Sequence, residues 1–145
     1  MHEVLDATAE WFAQRTRFAL ITVVKVFGSA PRLPGIAMAV SESGLVVGSV
    51  SGGCIEGAVY EEALLVLENS VAVTRSYGIT DDDAFAVGLT CGGDIDVFIE
   101  PVDATTHPRL PEIAQAAARG EPVAVATVIA GARLGEHVVV HLQMP

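Results

Sequence analysis

The longest apolar stretches of this chain, such as Phe18–Val24 and Ala37–Val40, are only strand-sized, and a lysine or a serine ends each before it could grow into a membrane span. That punctuation dictates a sheet of short strands, with helices wherever the spacing changes to one apolar residue every three or four. β-branched and aromatic residues fill Phe18–Phe27, which predicts a strand closed at Gly28. Gly28-Ser29-Ala30-Pro31-Arg32-Leu33-Pro34-Gly35 carries two prolines and two glycines, so it predicts an ordered loop. Ile36–Ser41 and Leu45–Val50 flank Glu42-Ser43-Gly44 as the arms of a hairpin would.

Between His2 and Thr16, residues Val4, Leu5, Thr8, Trp11, Phe12 and Arg15 share one stripe, with Asp6, Glu10 and Gln14 outside it. This predicts an amphipathic helix. A second helix is predicted to begin at or just before Cys54 and to run to Glu68. Val71–Tyr77 and the alternating Asp94–Glu100 predict strands, with Ile95, Val97 and Ile99 on one side, and Thr80–Asp83 predicts a capped turn into a short helix ending near Gly88. After a linker over Val102–Pro108, Leu110, Ile113, Ala114, Ala117 and Ala118 mark a helix closed by Gly120. Val123–Ile129 and His137–Leu142 would then pair antiparallel across Gly131–Gly135. The expected fold class is α+β, a mixed or antiparallel sheet covered by helices in a single domain spanning residues 1–145.

Hydrophobic residues make up 51% of the chain and charged ones 18%, which excludes disorder and leaves a thin polar surface. An apolar face covered by a partner, a second copy or a further domain is expected. The net charge of −10 repels phosphate backbones and anionic lipid, so a nucleic-acid partner is not expected. Glu3, Asp6 and Glu10 interrupt the N-terminal apolar residues, unlike a secretory signal, and this predicts a cytoplasmic protein with no membrane span and two free thiols.

Chemistry is signalled first by Gly48-Ser49-Val50-Ser51-Gly52-Gly53-Cys54-Ile55-Glu56, a strand entering a glycine turn and then a helix. Amides of Ser51, Gly52 and Gly53 at a helix start suit a phosphate or a thiolate, and the same field would lower the pKa of Cys54. The same residues also fit a cap at Ser51, a tight turn and a small buried cysteine. Cys91-Gly92-Gly93 repeats the chemistry in reverse order, so the two sulfurs could share a ligand, pass a sulfur atom or form a transient disulfide. Ser29 and Arg32, held between prolines, could pair with an anion, or Arg32 could be a solvated loop charge. Glu56 could accept a proton from a nearby thiol or simply favour a helix start. No metal site is expected: Cys54 and Cys91 are far apart in sequence, and His107, His137 and His141 fall in a linker and a late strand. Asp81–Asp83 fits a cap better than a cation site.

Together the stretches Gly28–Gly35, Gly48–Glu56 and Cys91-Gly92-Gly93 running into Phe98-Ile99-Glu100-Pro101 resemble the XdhC/CoxI family, in the family's order over about Phe18–Pro101. These are accessory proteins for maturing molybdenum hydroxylases such as xanthine dehydrogenase and carbon monoxide dehydrogenase. The resemblance, to the family's N-terminal domain, implies a chaperone rather than an enzyme. It would bind molybdenum cofactor (molybdopterin) as cargo, protect it during sulfuration, with a cysteine desulfurase as a further partner, and deliver it to a molybdenum hydroxylase apo-enzyme. The cofactor would be held by Ser29, Arg32, Ser51, Gly52, Gly53, Cys54, Glu56, Cys91, Gly92 and Gly93. Relatives commonly carry a second, dinucleotide-type domain, and no G-x-G-x-x-G occurs in this sequence. Two competing readings are a thiol redox or sulfur-transfer enzyme with Cys54 and Cys91 as catalytic residues, and a non-catalytic interaction domain.

Overall fold

The computed structural model describes residues 2–28, 33–53, 55–78 and 93–143. Its two longest strands, β1 (Phe18–Gly28) and β5 (Gly93–Val102), pair antiparallel from Phe18 opposite Val102 to Gly28 opposite Gly93. On the free side of β1 lie β2 (Ala37–Ser41) and then β3 (Val46–Gly48); on the free side of β5 lies β4 (Val73–Tyr77). Every neighbouring pair is antiparallel, giving one sheet in the order β3-β2-β1-β5-β4. A separate hairpin joins β6 (Val123–Thr127) to β7 (His137–His141). The fold is α+β, with the antiparallel form of the sheet.

Both faces of the main sheet are covered. Ala19, Ile21 and Val23 of β1, Met38 and Val40 of β2, and Ile95, Val97 and Ile99 of β5 pack under helix α2 (Glu56–Asn69) through its Val59, Ala63, Val66 and Leu67. The alternate residues Phe18, Ala37, Ala39 and Val102 face α1 (His2–Ala13) and α3 (Leu110–Ala118), against Val4, Trp11, Phe12 and Leu110. A strand buried on both sides reads as a near-continuous apolar run, as Ala37–Val40 does. Each large side chain fully buried in this way contributes about 1.5–3 kcal/mol. One irregularity interrupts the pairing of β1 with β5, between Val23 and Lys25. The extra residue resets the alternation, so Val26 joins Ile95 on the α2 side while Lys25 stands opposite Asp96.

Several predicted boundaries move for local reasons. Helix α2 starts at Glu56 rather than at Cys54, because Gly52 and Gly53 hold positive φ (78° and 116°) and Ser51 Oγ accepts the Ile55 amide at 3.0 Å. Strand β5 continues past Glu100 to Val102, so the linker begins at Asp103, whose Oδ1 accepts the amides of Thr105 and Thr106. Strands β6 and β7 are each shorter than expected, ending at Thr127 and His141. The predicted Thr80–Gly88 turn and helix lies outside the described residues. On the β6–β7 hairpin Val138 and Val140 are exposed, an apolar surface of the kind the composition implies. Among the described residues no helix is long and apolar enough to cross a membrane.

Gly48 ends β3 where α1 and β2 press closest. Its φ is +81°, and a Cβ there would stand 2.5 Å from the Ala37 carbonyl oxygen and 2.7 Å from Val4 Cγ2. Gly48→Ala is therefore expected to cost about 1–3 kcal/mol, measured by urea unfolding. Gly57→Ala, within α2 and with open space around it, is expected to be neutral or stabilising in the same assay.

Candidate cofactor-binding site

The antiparallel pairing sends the three glycine segments out of one end of the sheet. Strand β1 ends at Gly28, β2 begins at Ala37, β3 ends at Gly48 and β5 begins at Gly93. Gly28 pairs directly with Gly93, so the segments that follow one and precede the other leave from neighbouring strands. Gly48 pairs with Met38 and Met38 with Ile21, so the connection from β3 to α2 leaves the sheet roughly 20 Å short of the Gly28–Gly93 pair. Ser51, Gly52 and Gly53 thus share an end of the sheet with Gly93 but not its level along the strands. Ser29, Arg32, Cys54, Cys91 and Gly92 lie outside the described residues.

The connection from β3 to α2 is built around one carboxylate. Glu56 Oε1 accepts the Ser49 hydroxyl at 2.6 Å, the Val50 amide at 3.1 Å and the Ser51 amide at 2.9 Å. Its Oε2 accepts the Ser51 hydroxyl at 2.6 Å and the Gly53 amide at 2.9 Å. The Gly52 amide goes to Ser49 Oγ at 3.0 Å. Burial on its own would raise the pKa of this carboxyl. The bonds from Ser49 and Ser51 outweigh that and bring it to about 2.

Two expectations change with this geometry. The anion held by the amides of Ser51 and Gly53 is the chain's own Glu56, and a carboxylate with a pKa near 2 is a weak proton acceptor near neutral pH. Ser51 is buried inside the clasp, while Gly52 and Gly53 are exposed with no atom within 4 Å of where a Cβ would stand. The clasp therefore fixes a bare backbone edge facing outward, immediately before position 54. Such an edge admits close approach by a ligand.

At the other end of β5, opposite Leu20 of β1, a second polar group converges that sequence reasoning missed. Glu100 is 5% exposed; its Oε1 lies 3.2 Å from His107 Nε2 and its Oε2 lies 2.9 Å from His137 Nε2. Burial raises the pKa of this carboxyl, and the two histidine hydrogen bonds more than offset it, leaving it below the usual carboxylate range. The expectation that His107 and His137 stand apart fails because the β6–β7 hairpin folds back onto β5. The available signal was an acidic residue inside a strand buried on both faces. His141 pairs instead with Glu112, which Arg109 also grips through two nitrogens.

A sequence model of the XdhC and CoxI family matches residues 11–78, a span that holds the Gly28–Gly35 segment and the Glu56 clasp. Over 103 residues, 70% of this chain, the sequence is 30% identical to a protein of Bacillus subtilis strain 168 named as a probable xanthine dehydrogenase subunit, of which it covers 30%. Over 76 residues, 52% of this chain, it is 40% identical to the molybdenum cofactor insertion chaperone PaoD of Escherichia coli strain K12 and covers 24% of it. The crystal structure of a xanthine dehydrogenase from Bacillus halodurans matches 99% of this chain with a TM-score of 0.75 and 25% identity, over 46% of its own length. The chain spans less than half the length of each of these relatives.

Removing the clasp has a defined signature. Glu56→Ala is expected to lower stability by about 2 kcal/mol, a figure discounted for partial solvent exposure of the charge. The stability contributed by the ionised carboxylate is complete above pH 4.5 and is lost as the pH falls toward about 2. Denaturant midpoints collected across that window check this, and Glu56→Gln should flatten their pH dependence.

Proposed function

We propose that this chain, whose residues 11–78 match the model of the XdhC and CoxI family, is an accessory protein that carries molybdenum cofactor to a molybdenum hydroxylase. The cargo is bound at the glycine-loop end of the sheet, kept while its terminal sulfur is installed, and delivered to the apo-enzyme. A cysteine desulfurase supplies that sulfur, and the work takes place in the cytoplasm. The likeness to a chaperone named for molybdenum cofactor insertion supports the cargo, and the likeness to two proteins named for xanthine dehydrogenase supports the class of client.

The observation that carries this reading is the common exit of the three glycine segments from one end of the sheet, with Gly52 and Gly53 held open by the Glu56 clasp. Because the clasp consumes the amides of Val50, Ser51 and Gly53, the loop meets the cargo through its outward glycine edge and through Cys54. Arg32 and Ser29 take the anionic phosphate of the pterin, and Cys91 with Gly92 and Gly93 completes the cradle. Arginine suits that phosphate because its fork of donors matches two phosphate oxygens at once. A fixed loop also loses little entropy on binding.

Anaerobic titration of the purified chain with molybdenum cofactor is expected to show one equivalent bound without turnover. Cys54→Ala and Cys91→Ala should each weaken binding by about tenfold or more and lower the yield of active hydroxylase in a reconstitution assay. Binding and delivery unchanged in both variants would leave a purely structural domain. Repeated turnover of persulfide or disulfide exchange, abolished by Cys54→Ala, would make the chain a sulfur-transfer enzyme instead.

A further inference from the structure

We propose that Glu100, His107 and His137 form a binding site for a divalent transition metal of the zinc class, separate from the glycine-loop end of the sheet. One ligand atom from each residue can be chosen so that all lie within 4.8 Å of one another. Separations of 3.2 Å and 2.9 Å between the carboxylate oxygens and the two Nε2 atoms approach the roughly 3.3 Å edge of a tetrahedron around an ion with bonds of about 2.0–2.1 Å. Two imidazoles and one carboxylate are the donor set that zinc and its neighbours favour over calcium or magnesium.

Four further features suit a cation better than a simple ion pair. The ligands come from β5, from the turn before α3 and from the first residue of β7, so separate elements converge on one point. His107 is oriented from behind: its Nδ1 lies 2.9 Å from Thr106 Oγ1, and that oxygen is itself fixed by the Asp103 amide at 2.9 Å and by the Pro101 carbonyl at 3.1 Å. Metal-bound histidines characteristically have their second ring nitrogen held in this way. The three side chains are only 7–14% exposed, which limits competing water. Beside them a cavity of about 340 Å³ opens between His107, His137, Leu110, Ile113 and Val139. Three protein ligands next to a cavity leave a fourth position for water or a small anion, as in metal sites that do chemistry or exchange ligands.

Metal binding would also fasten the β6–β7 hairpin to the main sheet, since His137 belongs to the former and Glu100 to the latter. The test uses the full chain carrying Cys54→Ser and Cys91→Ser, so that thiolates cannot bind the probe. After chelator treatment it is titrated with Zn²⁺ alone and with Co²⁺ alone. One equivalent of each is expected, with a visible cobalt spectrum of tetrahedral or five-coordinate type and a raised unfolding temperature. His107→Ala and His137→Ala, checked for folding by circular dichroism, should each weaken affinity by about tenfold or more. His141→Ala, nearby but outside the triad, should leave it unchanged. In the unmutated chain, ring nitrogen resonances of two of the four histidines should shift on addition of Zn²⁺, a readout that does not depend on any variant folding. Absence of binding by the folded chain, or equal effects of His141→Ala and the triad variants, would overturn the proposal.

Discussion

The ladder between β1 and β5 holds the rest of the molecule in place. It joins Phe18 to Val102 and Gly28 to Gly93, segments far apart in the chain, and both strands are interior to the sheet. Every other element is positioned from it: β2 and β3 extend the sheet on one side and β4 on the other, α2 covers one face, and α1 and α3 cover the other. Forming such a pairing means closing a long loop before its contacts can stabilise anything. The buried alternation of Ala19, Ile21 and Val23 against Ile99 and Val97 offsets that cost, and a one-residue slip would turn these side chains to the wrong helix.

Where β3 leaves the sheet for α2, the chain uses charge to organise backbone. A loop with two consecutive glycines at positive φ is entropically costly to fix. Glu56 fixes it from inside by gathering amides and hydroxyls from Ser49 to Gly53 on its two oxygens. The arrangement resembles an anion-binding turn whose anion is supplied by the following helix. Its consequence for function is geometric: donors that could have faced a ligand face inward, and the exposed part of the loop is bare backbone beside a cysteine.

The opposite end of β5 uses charge to join units. A carboxylate as buried as Glu100 is costly unless its oxygens are satisfied, and each of them meets one histidine. Because His137 opens β7, satisfying Glu100 also docks the hairpin. Glu112 of α3, bonded to Arg109 and to His141 of β7, and Arg109, bonded to the Val139 carbonyl, tie the hairpin to α3 as well.

Local chemistry was enough to predict most elements. Periodicity marked α1 and α2, β-branched runs marked β1 and β5, and the Val123 and His137 runs matched as a hairpin, because these patterns act over a few residues. The glycine turn between Gly48 and Glu56 was legible too, since it carries unusual residues at fixed spacing. Tertiary structure decided what those residues do. No local rule shows that Glu56 would turn back on Ser49, Ser51 and Gly53, or that the linker residue His107 would meet a histidine thirty positions later on a buried glutamate. Those groups are joined by chain closure through the β1–β5 ladder and the folding back of the hairpin, and the energy of a buried charge depends on what closure brings beside it.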